Sequence, residues 1–172
     1  GLAEDGKSIR GRFHLDAFKL SSPPEKASTS ITFARECSLR VQIKPPAGKR
    51  VRGASAKTKV VVSKDAPVRV QLQNILSLDT QKVGGSFLEI PAGERVGNRD
   101  FDVVLSNGRW EGVPEQIQTA PPYECGAMAV FGFDYTIIAH RKDKSDAALI
   151  RVNGEPRTLD FAVELEDCAP GK

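Results

Sequence analysis

The sequence predicts an all-β protein, an antiparallel β-sandwich of roughly eight to ten strands, with a closed β-barrel as the alternative. Three observations predict it. Apolar and polar residues alternate with period two in segment after segment, the pattern of strands with one face buried. The connectors between segments are rich in Asn-Gly, Asp-Gly and Pro-Gly chemistry. No window of a dozen residues carries a helical apolar stripe. Each such strand has one apolar face to bury, and a second sheet is the simplest cover.

The elements follow in order. Asp5-Gly6 marks a turn before a first strand over Ile9–Leu20. There the apolar phase shifts from Phe13 and Leu15 to Phe18 and Leu20, which predicts a bulge near Asp16. Ser21–Lys26 is a Pro-rich loop. Ile31, Phe33, Cys37, Leu39, Val41 and Ile43 then give a long alternating strand, stopped by Pro45-Pro46-Ala47-Gly48. Alternation returns in Val68, Val70 and Leu72, and Gly84-Gly85 reads as a turn. Phe101, Val103 and Leu105 are followed by Asn107-Gly108, which predicts a hairpin to the Trp110 segment. Pro114–Pro122 is a second Pro-rich loop, long enough to cross between sheets. The strongest strand runs from Ala127 to Ala139, with the polar "RKDKSD" as a hairpin tip after it. Ala148–Val152 and Leu159–Leu165 flank Asn153-Gly154, a third predicted hairpin.

The 172 residues suit a single domain, 1–172, with a core large enough to fold unaided. No apolar run approaches the ~20 residues a membrane-spanning helix needs. "GLAEDGKSIRGRF" lacks the apolar core of a secretory leader, which fits a cytosolic chain or a mature one whose signal peptide has been removed. The net charge is only +3, but it is unevenly placed. Lys44, Lys49, Arg50, Arg52, Lys57, Lys59 and Lys64 occur with no acid between them. Glu155, Asp160, Glu164, Glu166 and Asp167 crowd the C-terminal end.

That basic stretch is the best site-like feature. It suits a polyanion such as an anionic glycan, a cell-wall polymer or lipid headgroups. It contains no aromatic residue for base stacking, which argues against nucleic acid. The competing reading is a solvated edge, with lysines guarding an edge strand against aggregation. The basic middle and acidic end also suggest self-association between copies.

Catalytic signals are weak. His14 falls on the polar phase of its strand, and His140 ends the Ala127–Ala139 strand. A Ser-His-Asp set assembled from His140 and Asp134 has no local signature behind it. The pairs Asp100/Asp102 and Asp143/Asp146 read as edge and turn residues. The cysteine spacings match no zinc motif, and no cofactor or metal is expected. Trp110 and Tyr123 are a thin basis for a sugar platform, and Trp110 is expected to pack under its hairpin.

There are three cysteines. Cys125 opens the strongest strand and Cys168 closes the last. Two neighbouring antiparallel strands would bring them together in a disulfide contributing roughly 4 kcal/mol by loop closure, although two separate thiols remain the alternative. Cys37 lies on the inward phase of its strand, where a free cysteine serves as a small hydrophobe.

"DGKSIRGRFHLDAF" (Asp5–Phe18), "RECSLRVQIKPPAG" (Arg35–Gly48), "ECG" (Glu124–Gly126) and the closing Cys168 follow one another in an order that resembles a family of small secreted four-cysteine proteins of bacteria and fungi, known only as a domain of unknown function. The resemblance implies secretion or a periplasmic location, disulfides and a sandwich-like fold, and no reaction. It implies that Cys37 is half of a bridge whose partner was trimmed away or mutated. The family's tryptophan before the last cysteine is missing here, where the chain reads "VELEDC". The function expected is therefore a non-catalytic secreted or cell-envelope module for binding, adhesion or structure, acting on an unknown protein or an anionic polymer. The alternative is an inhibitor of a secreted hydrolase, presenting Ser21–Lys26 or Pro114–Pro122 to an enzyme cleft.

Overall fold

A computed structural model describes residues 1–14, 19–22, 32–112, 123–142, 148–152 and 158–169. They form eleven strands: β1 (Ser8–His14), β2 (Lys19–Ser22), β3 (Thr32–Ile43), β4 (Lys49–Lys64), β5 (Arg69–Leu78), β6 (Gln81–Ile90), β7 (Val96–Ser106), β8 (Trp110–Glu111), β9 (Ala129–His140), β10 (Ala148–Val152) and β11 (Thr158–Asp167). There is no helix among them. Two sheets pack face to face as the β-sandwich the alternation predicts.

The pairing gives the topology. Along one edge of β4, β11 occupies Lys49–Lys57 and β10 occupies Val60–Lys64, both antiparallel. The two are therefore successive pieces of one line. On their far side, β1 lies against β11 and β2 against β10, so β1 and β2 form a second such line. β7 takes the other edge of β4. The first sheet thus reads β1/β2, β11/β10, β4, β7. The second reads β3, β9, β5, β6, with the two-residue β8 beside β6. Apart from the β5–β6 hairpin, successive long lines alternate between the sheets, in the order of a jelly roll.

The core lies between the two inner rows. Leu72 and Leu76 on β5 meet Phe131, Phe133 and Ile137 on β9, Val60 and Val62 on β4, and Leu159 and Val163 on β11, all at 3% exposure or less. A row of stacked rings, Phe13 to Phe161 to Phe131, joins the sheets with centroids 5.2 and 4.7 Å apart. Gly11 makes room for it, because a Cβ there would lie 2.2 Å from the Phe161 ring.

Several connections differ from the sequence reading. β10 and β11, the segments either side of Asn153-Gly154, pair with β4 and not with each other; residues 153–157 lie outside the described residues. Asn107-Gly108 turns, with Arg109 N–H donating to Ser106 O, but carries the chain from β7 in one sheet to β8 in the other. Only Gly108 has positive φ there, which excludes the type I′ hairpin turn. The "RKDKSD" segment likewise links different sheets, and residues 143–147 lie outside the described residues. Gly84-Gly85 is not a turn but the middle of β6. A Cβ at Gly84 would meet Ser106 O at 2.3 Å, and one at Gly85 would meet the Trp110 ring at 2.2 Å. The real turn is at Asp79, whose φ is 54°. Asp5-Gly6 does turn, with Gly6 N–H donating to Ala3 O. The bulge expected near Asp16 and most of the two Pro-rich loops fall outside the described residues.

Candidate functional site

The basic stretch does not form one patch, because most of it is β4, a central strand. β4 has neighbours on both sides, so the edge-guarding reading fails as well. A central strand directs alternate side chains to opposite faces, and its neighbours decide what each cation meets.

At the first end, Lys49 Nζ lies 2.6 Å from Asp167 and Arg50 Nε lies 2.6 Å from Glu166. β4 and β11 are adjacent, so the basic middle and acidic end of the sequence meet within one molecule. The register shifts between Glu164 and Leu165, and Arg52 is the extra residue, exposed on the bulge. Lys44 is exposed beyond the end of β3. At the far end Lys64 points inward at 2% exposure, and its ammonium donates to Glu94 O at 2.6 Å. Burial pushes its pKa down, and Glu94 partly opposes this.

Lys57 and Lys59 stand between these ends on the outer face. Lys57 is opposite Asp160, and Lys59 is opposite Asp102. Asp160 also receives a forked pair of hydrogen bonds from Arg12. The Arg12 hydrogen bonds hold its carboxyl below the usual range, and the charges of Arg12 and Lys57 add to this. The β4 ladder passes here from β11, which ends at Lys57, to β10, which begins at Val60. Thr58 Oγ1 donates to Thr158 O at 3.1 Å. A cleft of about 210 Å³ lies here, lined by Lys57, Thr58, Lys59, Thr158 and Asp160.

The three cysteines are settled separately. Cys125 and Cys168 form a disulfide with a Cα–Cα distance of 6.0 Å. They do not lie on neighbouring strands: Cys125 precedes β9 in one sheet and Cys168 follows β11 in the other, so the bridge clamps the two sheets at one end. The β3–β4 turn is held between them, with Cys168 N–H donating to Gly48 O and Gly126 N–H to Lys49 O. Cys37 is free and only half-buried, not a full core residue. Burial pushes its thiol pKa up, and Asp134 adds to the shift.

The remaining candidates serve the fold. Asp134 and His140 lie six positions apart on one face of β9, roughly 20 Å at strand rise, far outside hydrogen-bond reach. Each is engaged across the β3–β9 pair: Asp134 with Arg40 at 2.8 Å and Ser38 at 2.6 Å, His140 Nδ1 with Thr32 Oγ1 at 2.9 Å. His14 is exposed at the end of β1. Asp100 and Asp102 are exposed on the outer side of β7, and Asp143 and Asp146 lie outside the described residues. Tyr123 is buried, and its hydroxyl donates to Asp79 at 2.6 Å, so it is no sugar platform. The Trp110 ring covers Gly85. Sequence reasoning missed Asp79, whose other oxygen accepts Val130 N–H at 2.8 Å. Its position in a tight turn gave no sign of that role.

No group of His, Cys, Asp and Glu suited to a metal occurs among the described residues. No helix among them is long and apolar enough to cross a membrane.

Compared with known proteins, the sequence matches no family model and no curated protein. Among solved structures it is similar to a chain in the structure of infectious bursal disease virus Gx strain, with TM-score 0.31 and 11% identity. The match covers 96% of this chain and 38% of that one.

Proposed function

We propose that the protein is a non-catalytic module of the secreted or periplasmic space that binds an anionic polymer through the outer face of its β1/β11/β4/β7 sheet. The observation that carries this reading is the cleft lined by Lys57, Thr58, Lys59, Thr158 and Asp160. Two lysines flank it, on a face that also carries Arg10 and Arg12. A polymer reaches such a face without entering a pocket, and repeated anionic groups engage successive cations. The disulfide fits an oxidising compartment.

The test is retention on dextran sulfate as salt is raised. Contacts that release counterions give a linear dependence on log salt, with a slope that counts them. The double variant Lys57→Gln/Lys59→Gln lowers that slope by roughly two contacts. Lys49→Gln/Arg50→Gln, whose cations form 2.6 Å ion pairs with Asp167 and Glu166, changes it less. Equal slopes in the two variants overturn the proposal.

A further inference from the structure

The edge of β3 is built differently from the other exposed edges. β3 pairs with β9 and with nothing else among the described residues, although it is twelve residues long. Its inner row is incompletely covered: Cys37, Leu39 and Val41 are half-buried, whereas Phe131, Phe133, Tyr135 and Ile137 on β9 are 3% exposed or less. Its outer row, Ala34, Glu36, Ser38, Arg40 and Gln42, is exposed.

We infer that this edge pairs with the same edge of a second copy, antiparallel, about a two-fold axis at Ser38. An axis normal to the sheet keeps both cores on the same side, so residues i and j of the two copies meet only when i + j is even. Centred on Ser38, Glu36 of each copy faces Arg40 of the other, and this happens twice. Arg40 also pairs with Asp134 across the β3–β9 ladder, on the side of β3 away from the joint. On the core side Cys37 of each copy faces Leu39 of the other, and each half-buried row gains a neighbour. β9, β3 and their two counterparts then form one continuous sheet.

The edges of β1 and β7 lack this property. The outer row of β1 offers Arg10 and Arg12, and that of β7 offers Asp100 and Asp102. Neither finds an opposite charge in a copy of itself. A row of like charges discourages edge pairing in any register. The Glu36/Arg40 row favours one register and opposes those that align like charges.

The experiment is sedimentation equilibrium of the full chain across concentration, in a Cys37→Ser background so that thiol oxidation does not contribute. The expected species is a dimer. Glu36→Arg sets Arg against Arg twice and weakens the dimer by roughly tenfold or more, from cross-strand terms of this size. Arg40→Glu does the same with acids. Mixing the two variants restores opposite pairs and yields a heterodimer. A nitroxide placed through Ser38→Cys reports one short distance. Glu36 is exposed, so Glu36→Arg carries the test even if Arg40→Glu fails to fold. A monomer at all concentrations, a dimer indifferent to Glu36→Arg, or open-ended species that depend on Arg10 and Asp102 would each overturn the inference. None of these readouts depends on polyanion binding.

Discussion

The start of β9 and the free edge of β3 are held to very different standards. Where β9 begins, three ties converge: the Cys125–Cys168 bridge between sheets, the Tyr123–Asp79–Val130 chain of hydrogen bonds, and the backbone bonds from Cys168 and Gly126 to the β3–β4 turn. Along the free edge of β3, one ladder to β9 holds the strand, and its inner side chains remain half in water. The difference teaches that closure here is local. A sandwich seals where chain ends from both sheets can be fastened together, and stays open where a strand has one neighbour.

The largest effect follows from unfastening that end. Cys125→Ser/Cys168→Ser removes a closed loop of sequence separation 43. It should cost about 4 kcal/mol in a chain-entropy treatment, read as a lower urea midpoint. Should the midpoint move by less than about 1 kcal/mol equivalent, the hydrogen bonds alone hold this end.

Tyr123→Phe comes next. Its hydroxyl bonds a charged acceptor, and removing it should cost about 2 kcal/mol. Burial, then the Asp79 hydrogen bond and charge, raise the phenol pKa above its ordinary 10.0. A raised folded value favours the protonated form. The contribution is therefore complete below pH 10 and is lost as pH climbs toward the folded value. Wild type should lose stability above pH 10 more steeply than Tyr123→Phe. Buried Tyr135 shifts in the same direction and leaves the variant some slope of its own. Parallel alkaline unfolding curves would remove Tyr123 from the account.

The tied end was partly legible in the sequence. Alternation gave β3, β9 and β11 their faces, and the positions of Cys125 and Cys168 at strand termini gave the bridge. What alternation does not encode is sheet membership. Asn107-Gly108 looks the same whether it joins partners within a sheet or passes the chain to the opposite one. β4 was hidden because its inner row is Ala54, Ala56 and Thr58 before Val60 and Val62, while lysines on the outer row dominate the composition. β6 was hidden because Gly84 and Gly85 are there for close approach by Ser106 O and Trp110, and nothing local distinguishes that from a turn. The cleft at Lys57 and Lys59 depends on where β11 hands over to β10, a long-range register that no local pattern shows.

At the open edge, the same chemistry should matter less. Leu72 on β5 is fully buried, and Leu72→Ala should cost about 2–5 kcal/mol by cavity formation. Leu39→Ala on β3 removes a side chain already half in water and should cost about 1 kcal/mol. Equilibrium unfolding at low protein concentration compares them as monomers. A Leu39→Ala cost matching that of Leu72→Ala would mean that the edge is covered after all. Repeating the comparison at high concentration sharpens it: if β3 edges pair, the cost of Leu39→Ala grows with concentration and that of Leu72→Ala does not.

The smallest effect belongs to the ion pairs that absorb the basic stretch. Arg50 and Glu166 are more than a third exposed, and solvent and salt screen such pairs. A double-mutant cycle with Arg50→Gln and Glu166→Gln should return a coupling of about 0.5 kcal/mol, shrinking as salt rises. The value matters more for charge than for stability. A cation coupled to its neighbour is a weaker attractant for a polymer, so a measurable coupling here, set beside a weaker one for Lys59 and Asp102, places the attraction at the cleft. A coupling indistinguishable from zero leaves Arg50 as available as Lys59, and the polymer-binding face then extends along β4 to the disulfide end.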